Sequence, residues 1–322
     1  MRVVVISGGR SSEHEVSLSS GASVAAGLEA AGHEVVRLVI ERDGRWHCDG
    51  EEVELRAAGG LLGADAVFPV LHGPFGEDGT VQGVLEVLDV PYVGPGVLAA
   101  AITMDKLSFK RLLAFHGFPQ VEFCEAGEPG WRELAAAMGR PLWVKPSRLG
   151  SSVGISKVSD PERELDEAVD LARRHDPRVI VEAHGDGLEV ECSVIGNDEP
   201  ETSLPGQIVA HKEWYDYEAK YAEGGMELVV PAPIGEAASA RVRELAAAVY
   251  RALGCTGLAR CDFFVREGGE VLVNELNTIP GFTATSVFAK LFEATGTPYP
   301  DLCDRLVRLA LERYAAERAY RF

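Results

Sequence analysis

Short apolar runs alternate with helical patterns along the first hundred or so residues. Val3 to Ile6, Val35 to Ile40 and Val67 to Leu71 have the length of buried strands, and Val16 to Glu29 and Thr80 to Leu88 read as the helices between them. This alternation predicts an α/β unit with a parallel sheet. Beyond the turn Gly94-Pro95-Gly96 a helix is expected over about Thr103 to Phe115. Two strands follow, Leu142 to Pro146 and Val153 to Val158, around a loop of glycines and serines. A helix from about Pro161 to His175 leads to a strand at Val179 to Glu182. His184-Gly185-Asp186-Gly187 then interrupts the pattern and marks a domain boundary. Glu236 to Leu253 is a long amphipathic helix. His211 to Gly225 is aromatic and charged with no period, and its tyrosines suit a functional loop.

The pattern is sharpest at Leu258 to Asn277, two strands flanking Gly268-Gly269. A two-residue turn at the glycines sets Glu267 opposite Glu270, and by the same sum Asp262 opposite Glu275 and Arg260 opposite Asn277. All four inner residues then project from one face. Like charges facing each other are destabilising, so the carboxylates call for a cation between them. Two carboxylates and an amide oxygen are hard donors, suited to Mg²⁺ or Mn²⁺. A solvated polar face neutralised by Arg260 is the other reading of the hairpin taken alone.

The chain has 322 residues, enough for two or three domains. With 31 basic and 50 acidic residues its formal charge is -19, and no basic block occurs, so neither nucleic acid nor an anionic membrane is an expected partner. No apolar stretch approaches the roughly 20 residues of a membrane span. Met1 to Ile6, running into Ser7-Gly8-Gly9, is expected to be an opening strand and not a secretory signal. The six cysteines contain no C-x-x-C pair, so reduced thiols in the cytoplasm are expected.

Lys145 ends a strand before the loop Pro146 to Gly154, whose backbone N–H groups could cradle phosphate oxygens. The spacing is not that of a P-loop, and taken alone such a loop is a turn. Gly94-x-Gly96-x-x-Ala99 matches the dinucleotide fingerprint only loosely, with Pro95 inside it. His14-Glu15 does not continue to H-E-x-x-H, which excludes a zincin on spacing. His33, His47, His116 and His175 read as ordinary surface or boundary histidines.

Six ordered segments carry a family resemblance: Gly8 to Ser17, Leu71 to Gly79, Met104-Asp105-Lys106, Lys145 to Gly154, Tyr215 to Tyr221 and Asn274 to Ser286. Together they resemble the D-alanine-D-alanine ligases of the ATP-grasp superfamily, nearly end to end. The resemblance implies a three-domain α/β ATP-grasp fold. Residues 1–102 would form an N-terminal parallel-sheet α/β domain with the first D-alanine site, 103–184 the central ATP-grasp subdomain, and 185–322 the C-terminal one with the metal site and a closing loop at about 211–225. It further implies ATP-dependent ligation of two D-alanines through an acyl phosphate for peptidoglycan precursor synthesis, by a cytoplasmic homodimer using two Mg²⁺ or Mn²⁺ ions, with a monovalent cation as a further candidate.

Residue by residue, the resemblance assigns Lys106 and Lys145 to the ATP phosphates, with Ser151 and Lys220 also on the nucleotide side. Glu182 and Glu189 match the adenine-hinge and ribose acids. Asp262, Glu275 and Asn277 match the magnesium ligands. Glu13 matches the acid that orients the first D-alanine, linked through Ser151 to Tyr221. His72 lies beside the first substrate. Arg260, with backbone N–H near Gly281, matches the groups that stabilise charge on the reacting carbonyl, and Ser286 with Lys220 serves the second carboxylate or the transferred phosphate. Ala183 stands where many members carry a hinge lysine, and Leu149 replaces a common acid. A D-lactate- or D-serine-using ligase is the nearest alternative, the lactate form being disfavoured by Tyr221. A silent nucleotide-binding subunit is disfavoured by the intact ligand set.

Overall fold

The computed structural model describes residues 1–150, 153–210 and 226–320. The chain opens with β1 (Arg2–Gly8), α1 (His14–Ala30), β2 (Glu34–Ile40), β3 (Trp46–Cys48), β4 (Glu51–Glu52), β5 (Ala66–Pro69) and α2 (Thr80–Leu88). β1 lies parallel to both β2 and β5, the arrangement the strand-helix alternation predicts. β3 and β4 extend this sheet with antiparallel pairings that the hydrophobic pattern does not foretell. Their turn is Asp49-Gly50, where φ is 52° and 86°, so a short Asp-Gly pair folds the chain back without an apolar signature.

The unbroken apolar run of β1 follows from burial on both faces. Val3 and Val5 pack with Val24 and Leu28 of α1 and with Leu302 and Leu306 near the C-terminus. Val4 and Ile6 pack on the other side with Val81 and Leu85 of α2. Each such fully buried side chain contributes roughly 1.5–3 kcal/mol relative to exposure.

The next segment runs α3 (Val97–Met104), α4 (Lys106–His116), β6 (Phe123–Glu125), α5 (Trp131–Ala137), β7 (Leu142–Pro146), β8 (Ser156–Val158), α6 (Pro161–Arg173) and β9 (Val179–Ala183). Its four strands form an antiparallel sheet in the order β6-β9-β7-β8. The single helix expected over Thr103 to Phe115 is two. Asp105 leaves the helical region at φ −86° and ψ 99°, and its carboxylate accepts from Ser108 N at 2.9 Å. An aspartate that caps a new helix thus ends the old one and puts Lys106 in the first turn of α4. The strand expected from Val153 begins only at Ser156, because Gly154 turns the chain at φ +72°.

The last segment contains β10 (Leu188–Gly196), β11 (Glu201–Thr202), β12 (Gly206–Ala210), β13 (Met226–Val229), α7 (Gly235–Ala252), β14 (Gly257–Val265), β15 (Val271–Asn277), α8 (Val287–Ala294) and α9 (Tyr299–Arg318). The sheet order is β13-β12-β10-β14-β15, with β11 beside β10. Val242, Leu245 and Val249 of α7 close one face over Val190, Cys192, Cys261 and Phe263, which leaves the alternate residues of β10 and β14 facing the other way. α9 returns to the N-terminal sheet. There Arg313 donates to the carbonyls of Gly94 at 2.6 Å and Tyr92 at 3.2 Å, with its guanidinium over the Tyr92 ring.

The β14–β15 hairpin corrects one expectation. Arg266 N donates to Glu270 O and Gly269 N to Arg266 O, so the loop is Glu267-Gly268-Gly269 and Glu270 faces Arg266 instead of Glu267. That offset of one residue is undone by a β-bulge: Phe263 pairs with Val273, while Asp262 pairs with Glu275 and Arg260 with Asn277. Asn274 is the extra residue.

Candidate active site

A cavity of about 560 Å³ lies between the central and C-terminal sheets, with N-terminal loops at one end, a size suited to a small-molecule ligand. Its central-sheet wall carries Lys106 and Lys110 from α4, Lys145 from β7 and Glu182 from β9. Lys145 Nζ is 2.7 Å from one Glu182 oxygen and Lys110 Nζ is 3.1 Å from the other. Burial would raise the Glu182 carboxyl, but the two lysine charges prevail and lower it to about 2. Burial lowers Lys110 and Lys106. Lys145 moves up because the Glu182 charge and hydrogen bond outweigh its burial. The Lys106 ammonium donates to Leu149 O at 2.7 Å, tying α4 to the start of the glycine-serine loop. This wall offers concentrated positive charge for phosphate oxygens.

The opposite wall is the polar face of β10, β14 and β15. Arg260 forms a fork with Asp262, Nε to Oδ1 and Nη2 to Oδ2, each 2.7 Å. Its Nε also lies 2.9 Å from Glu191 Oε2. Burial works against the guanidinium's charge, but Asp262 and Glu191 hold its pKa well above the usual arginine value. Asn277 Nδ2 donates to Asp262 Oδ2 at 3.0 Å and reaches Glu275 Oε1 at 3.5 Å. Among the described residues no three His, Cys, Asp or Glu side chains are grouped for a metal. The Asp262, Glu275 and Asn277 set needs only two acids. Its hard oxygens fit Mg²⁺ or Mn²⁺, ions that fill their remaining positions with water and substrate phosphates.

At the N-terminal end sits Glu13, 6% exposed, at the start of α1. A Cβ on Gly73 would lie 2.7 Å from Glu13 Oε2, and one on Gly150 would lie 3.6 Å away, so the carboxylate nests against two glycine backbones far apart in sequence. His72 is 4% exposed, and both ring nitrogens are engaged, Nδ1 with Ile279 O at 3.0 Å and Nε2 with Ser20 Oγ at 3.1 Å. It thereby anchors the loop that carries Gly281, which lines the cavity. Ala284 N donates to Ser23 Oγ and Tyr299 Oη to Phe282 O, fixing the same loop further along. Ser286 does not line the cavity; its hydroxyl donates to Thr283 O at 2.8 Å.

The far end is aromatic. Trp143 Nε1 donates to His184 Nδ1 at 3.1 Å with the rings stacked at 27°. Phe264 packs flush on Gly185, where a Cβ would meet the ring at 2.2 Å. Ala183 and the exposed carboxylate of Glu189 line the same end of the cavity. Ser151, Lys220, Tyr221 and the segment 211–225 lie outside the described residues.

Sequence reasoning missed Lys110, Glu191 and Glu77. Lys110 follows Lys106 by one helical turn and Glu191 follows Glu189 by one strand repeat, so periodicity carried both signals. Glu77 lines the cavity and accepts from Gly73 N at 2.8 Å, 3.8 Å from the His72 ring; it lay inside a quoted motif without an assigned role.

The chain matches the family model described as D-ala D-ala ligase C-terminus over residues 112–308 and the one described as D-ala D-ala ligase N-terminus over 2–61 and 54–95. It is 47% identical to a D-alanine--D-alanine ligase of Deinococcus radiodurans, covering 97% of this chain and 98% of that one. It is 44% identical to the one of Solibacter usitatus, covering 100% and 99%. Among solved structures it resembles the D-alanine-D-alanine ligase from Coxiella burnetii, with a TM-score of 0.89 and 33% identity over 99% of this chain and 96% of that one. It also resembles the VanG D-Ala:D-Ser ligase from Enterococcus faecalis, with a TM-score of 0.87 and 34% identity over 96% and 99%. With both family models and close relatives spanning nearly its whole length, the chain belongs to the D-alanine-D-alanine ligase family.

Proposed function

We infer that the protein uses ATP to join two D-alanines into D-Ala-D-Ala through an acyl phosphate, for peptidoglycan precursor synthesis. One juxtaposition carries this reading: Lys106 and Lys145, the Arg260–Asp262–Glu275 face and Glu13 share a single cavity in a chain of the ligase family. A carboxylate is a poor electrophile. Its oxygen attacks the γ-phosphorus of ATP, ADP leaves, and the resulting acyl phosphate carries phosphate as a leaving group. The amine of the second D-alanine then attacks the carbonyl carbon, and phosphate departs.

Glu13 holds the first ammonium, and Lys106 and Lys145 bind phosphate oxygens that gain charge in transfer. Arg260 and backbone N–H at Gly281 stabilise the oxygen of the tetrahedral species. Asp262, Glu275 and Asn277 would hold a divalent cation, which supplies charge neutralisation at the phosphates. Glu182 orients the two lysines that flank it. Glu189 lies near the ribose, and His72 fixes the Gly281 loop beside the first substrate. Ser286 and Ser151 complete the proposed set, with Lys220 and Tyr221 from a closing segment at about 211–225.

The reading includes domain limits at 1–102, 103–184 and 185–322, supported by three separate sheets. A second Mg²⁺ or Mn²⁺ and a monovalent activator belong to it, as does a homodimer. Six free cysteines, five of them buried, support a cytoplasmic setting. ADP release with D-alanine as the sole amino acid, with the dipeptide identified by mass, tests the central claim. No D-alanine-dependent ADP release would refute it. Likeness to the D-Ala:D-Ser enzyme favours D-serine as a second reading, and a mixed D-alanine and D-serine assay separates the two by product mass.

A further inference from the structure

Glu191, Asp262 and Glu275 form one row across three strands: Glu191 pairs with Asp262 across β10 and β14, and Asp262 with Glu275 across β14 and β15. Arg260 serves the first two. Its Nε is 2.9 Å from Glu191 and 2.7 Å from Asp262, and the side chains of Arg260, Glu191 and Asp262 are only 18%, 15% and 12% exposed. A carboxylate gripped by both arms of a guanidinium presents the same oxygens that a cation would use. Arg260 and a bound dication would also repel each other. Glu191 meets the same Nε as Asp262, and this second carboxylate lowers the cost of loosening that fork, because the guanidinium keeps an ion-pair partner when Asp262 turns to the cation.

We propose that Glu191 is a positioning residue that draws the Arg260 guanidinium away from Asp262, freeing that carboxylate for the divalent cation and holding the guanidinium beside the reacting carbonyl. The inference rests on the reading that Asp262 and Glu275 bind that cation. In the absence of Glu191, Arg260 keeps its fork on Asp262 and competes with the ion.

The test is Mn²⁺ binding to the full chain saturated with a non-hydrolysable ATP analogue, followed by the electron paramagnetic resonance of free Mn²⁺. Glu191→Gln is expected to weaken Mn²⁺ by about tenfold, the scale typical of groups that orient metal ligands, and to lower kcat more than it raises KM for ATP. Adding Arg260→Ala to Glu191→Gln is expected to bring Mn²⁺ affinity back toward the wild-type value without restoring turnover. A merely structural role would show no such recovery. Unchanged Mn²⁺ affinity in Glu191→Gln, or a double variant as weak as the single one, overturns the proposal; the second result would make Glu191 a direct ligand. If Glu191→Gln does not fold, Glu191→Asp takes its place, with an intermediate loss expected and wild-type affinity counting against the idea. Glu275→Gln separates the two levels. Wild-type Mn²⁺ binding there removes the metal assignment itself, whereas a loss there with none in Glu191→Gln removes only the role of Glu191.

Discussion

Asp262 and Glu275 face each other directly in the β14–β15 ladder, with the Asn277 amide donating to Asp262 at 3.0 Å and reaching Glu275 at 3.5 Å. Facing carboxylates cost about 0.2–1 kcal/mol relative to neutral pairs, and this pair is kept in a shielded cavity wall. Arg260 offsets the Asp262 side of it. The arrangement is one that folding alone would not favour, and that binding a cation would.

Glu275→Gln removes one negative ligand and relieves that repulsion together. Turnover is expected to fall by about 100-fold or more, the scale of losing one charge-stabilising group. Thermal unfolding without metal should stay at the wild-type temperature or rise slightly. ADP release at ordinary Mg²⁺ concentration and a melting curve measure both. Near-native turnover would take the metal site away from this hairpin.

Lys110→Met keeps the volume of a buried side chain and deletes one cation from the phosphate wall. Lys145 still pairs with Glu182 at 2.7 Å, so the carboxylate is not left alone. The variant is expected to fold, with kcat/KM for ATP down by about tenfold and KM for D-alanine little changed, the scale expected from loss of one charge-assisted contact. Equal losses for both substrates would mean that Lys110 supports the fold and not the nucleotide.

Much of this geometry was legible because strand period and motif order both point to it, and the rest was hidden for identifiable reasons. The facing of Asp262 with Glu275 was correctly expected from a two-residue turn that the chain does not make. A three-residue loop displaced the register and the bulge at Asn274 returned it, and neither irregularity has a hydrophobic signature. The break between α3 and α4 depends on one side-chain cap at Asp105, which competes with a helical pattern that runs through it. Glu191 and Lys110 sit at readable spacings, but their importance comes from Arg260 and Glu182, partners distant in sequence. The packing of α9 on the N-terminal sheet is tertiary, and local pattern could not supply it.

Glu182→Gln tests the lysine wall through acid stability. The carboxyl is lowered to about 2 against an ordinary value of 4.5, so its contribution is fully present above about pH 4.5 and is lost as pH falls from there toward 2. That shift corresponds to about 3 kcal/mol. The variant, with Lys110 and Lys145 lacking their shared carboxylate, is expected to be about 3 kcal/mol or more less stable at pH 7. The gap should narrow through the acid window. Denaturant unfolding at a series of pH values reads it, and a constant gap from pH 7 to 3 would contradict the ion-pair account.

His72 should behave in the opposite sense. Burial alone would depress its imidazolium, but the hydrogen bond and charge of Glu77, the charge of Glu13 and the Ile279 carbonyl outweigh burial and raise its pKa. A raised histidine contributes stability that is fully present below its unfolded value of about 6.5 and is lost as pH rises through the folded one. The difference in unfolding free energy between the wild type and His72→Gln is therefore expected to be flat below about pH 6.5 and to shrink above it. The His72 ring resonance, assigned by its loss in the variant, should titrate above the ordinary histidine midpoint. Deprotonation need not release the loop. With the remaining proton on Nδ1 the bond to Ile279 O persists, and Nε2 can accept from the Ser20 hydroxyl. The Gly281 loop should stay anchored in both forms, so KM for D-alanine in the wild type should not change as His72 titrates, while His72→Gln should raise it. A ring midpoint below the ordinary value would mean that burial, and not Glu77, controls this histidine.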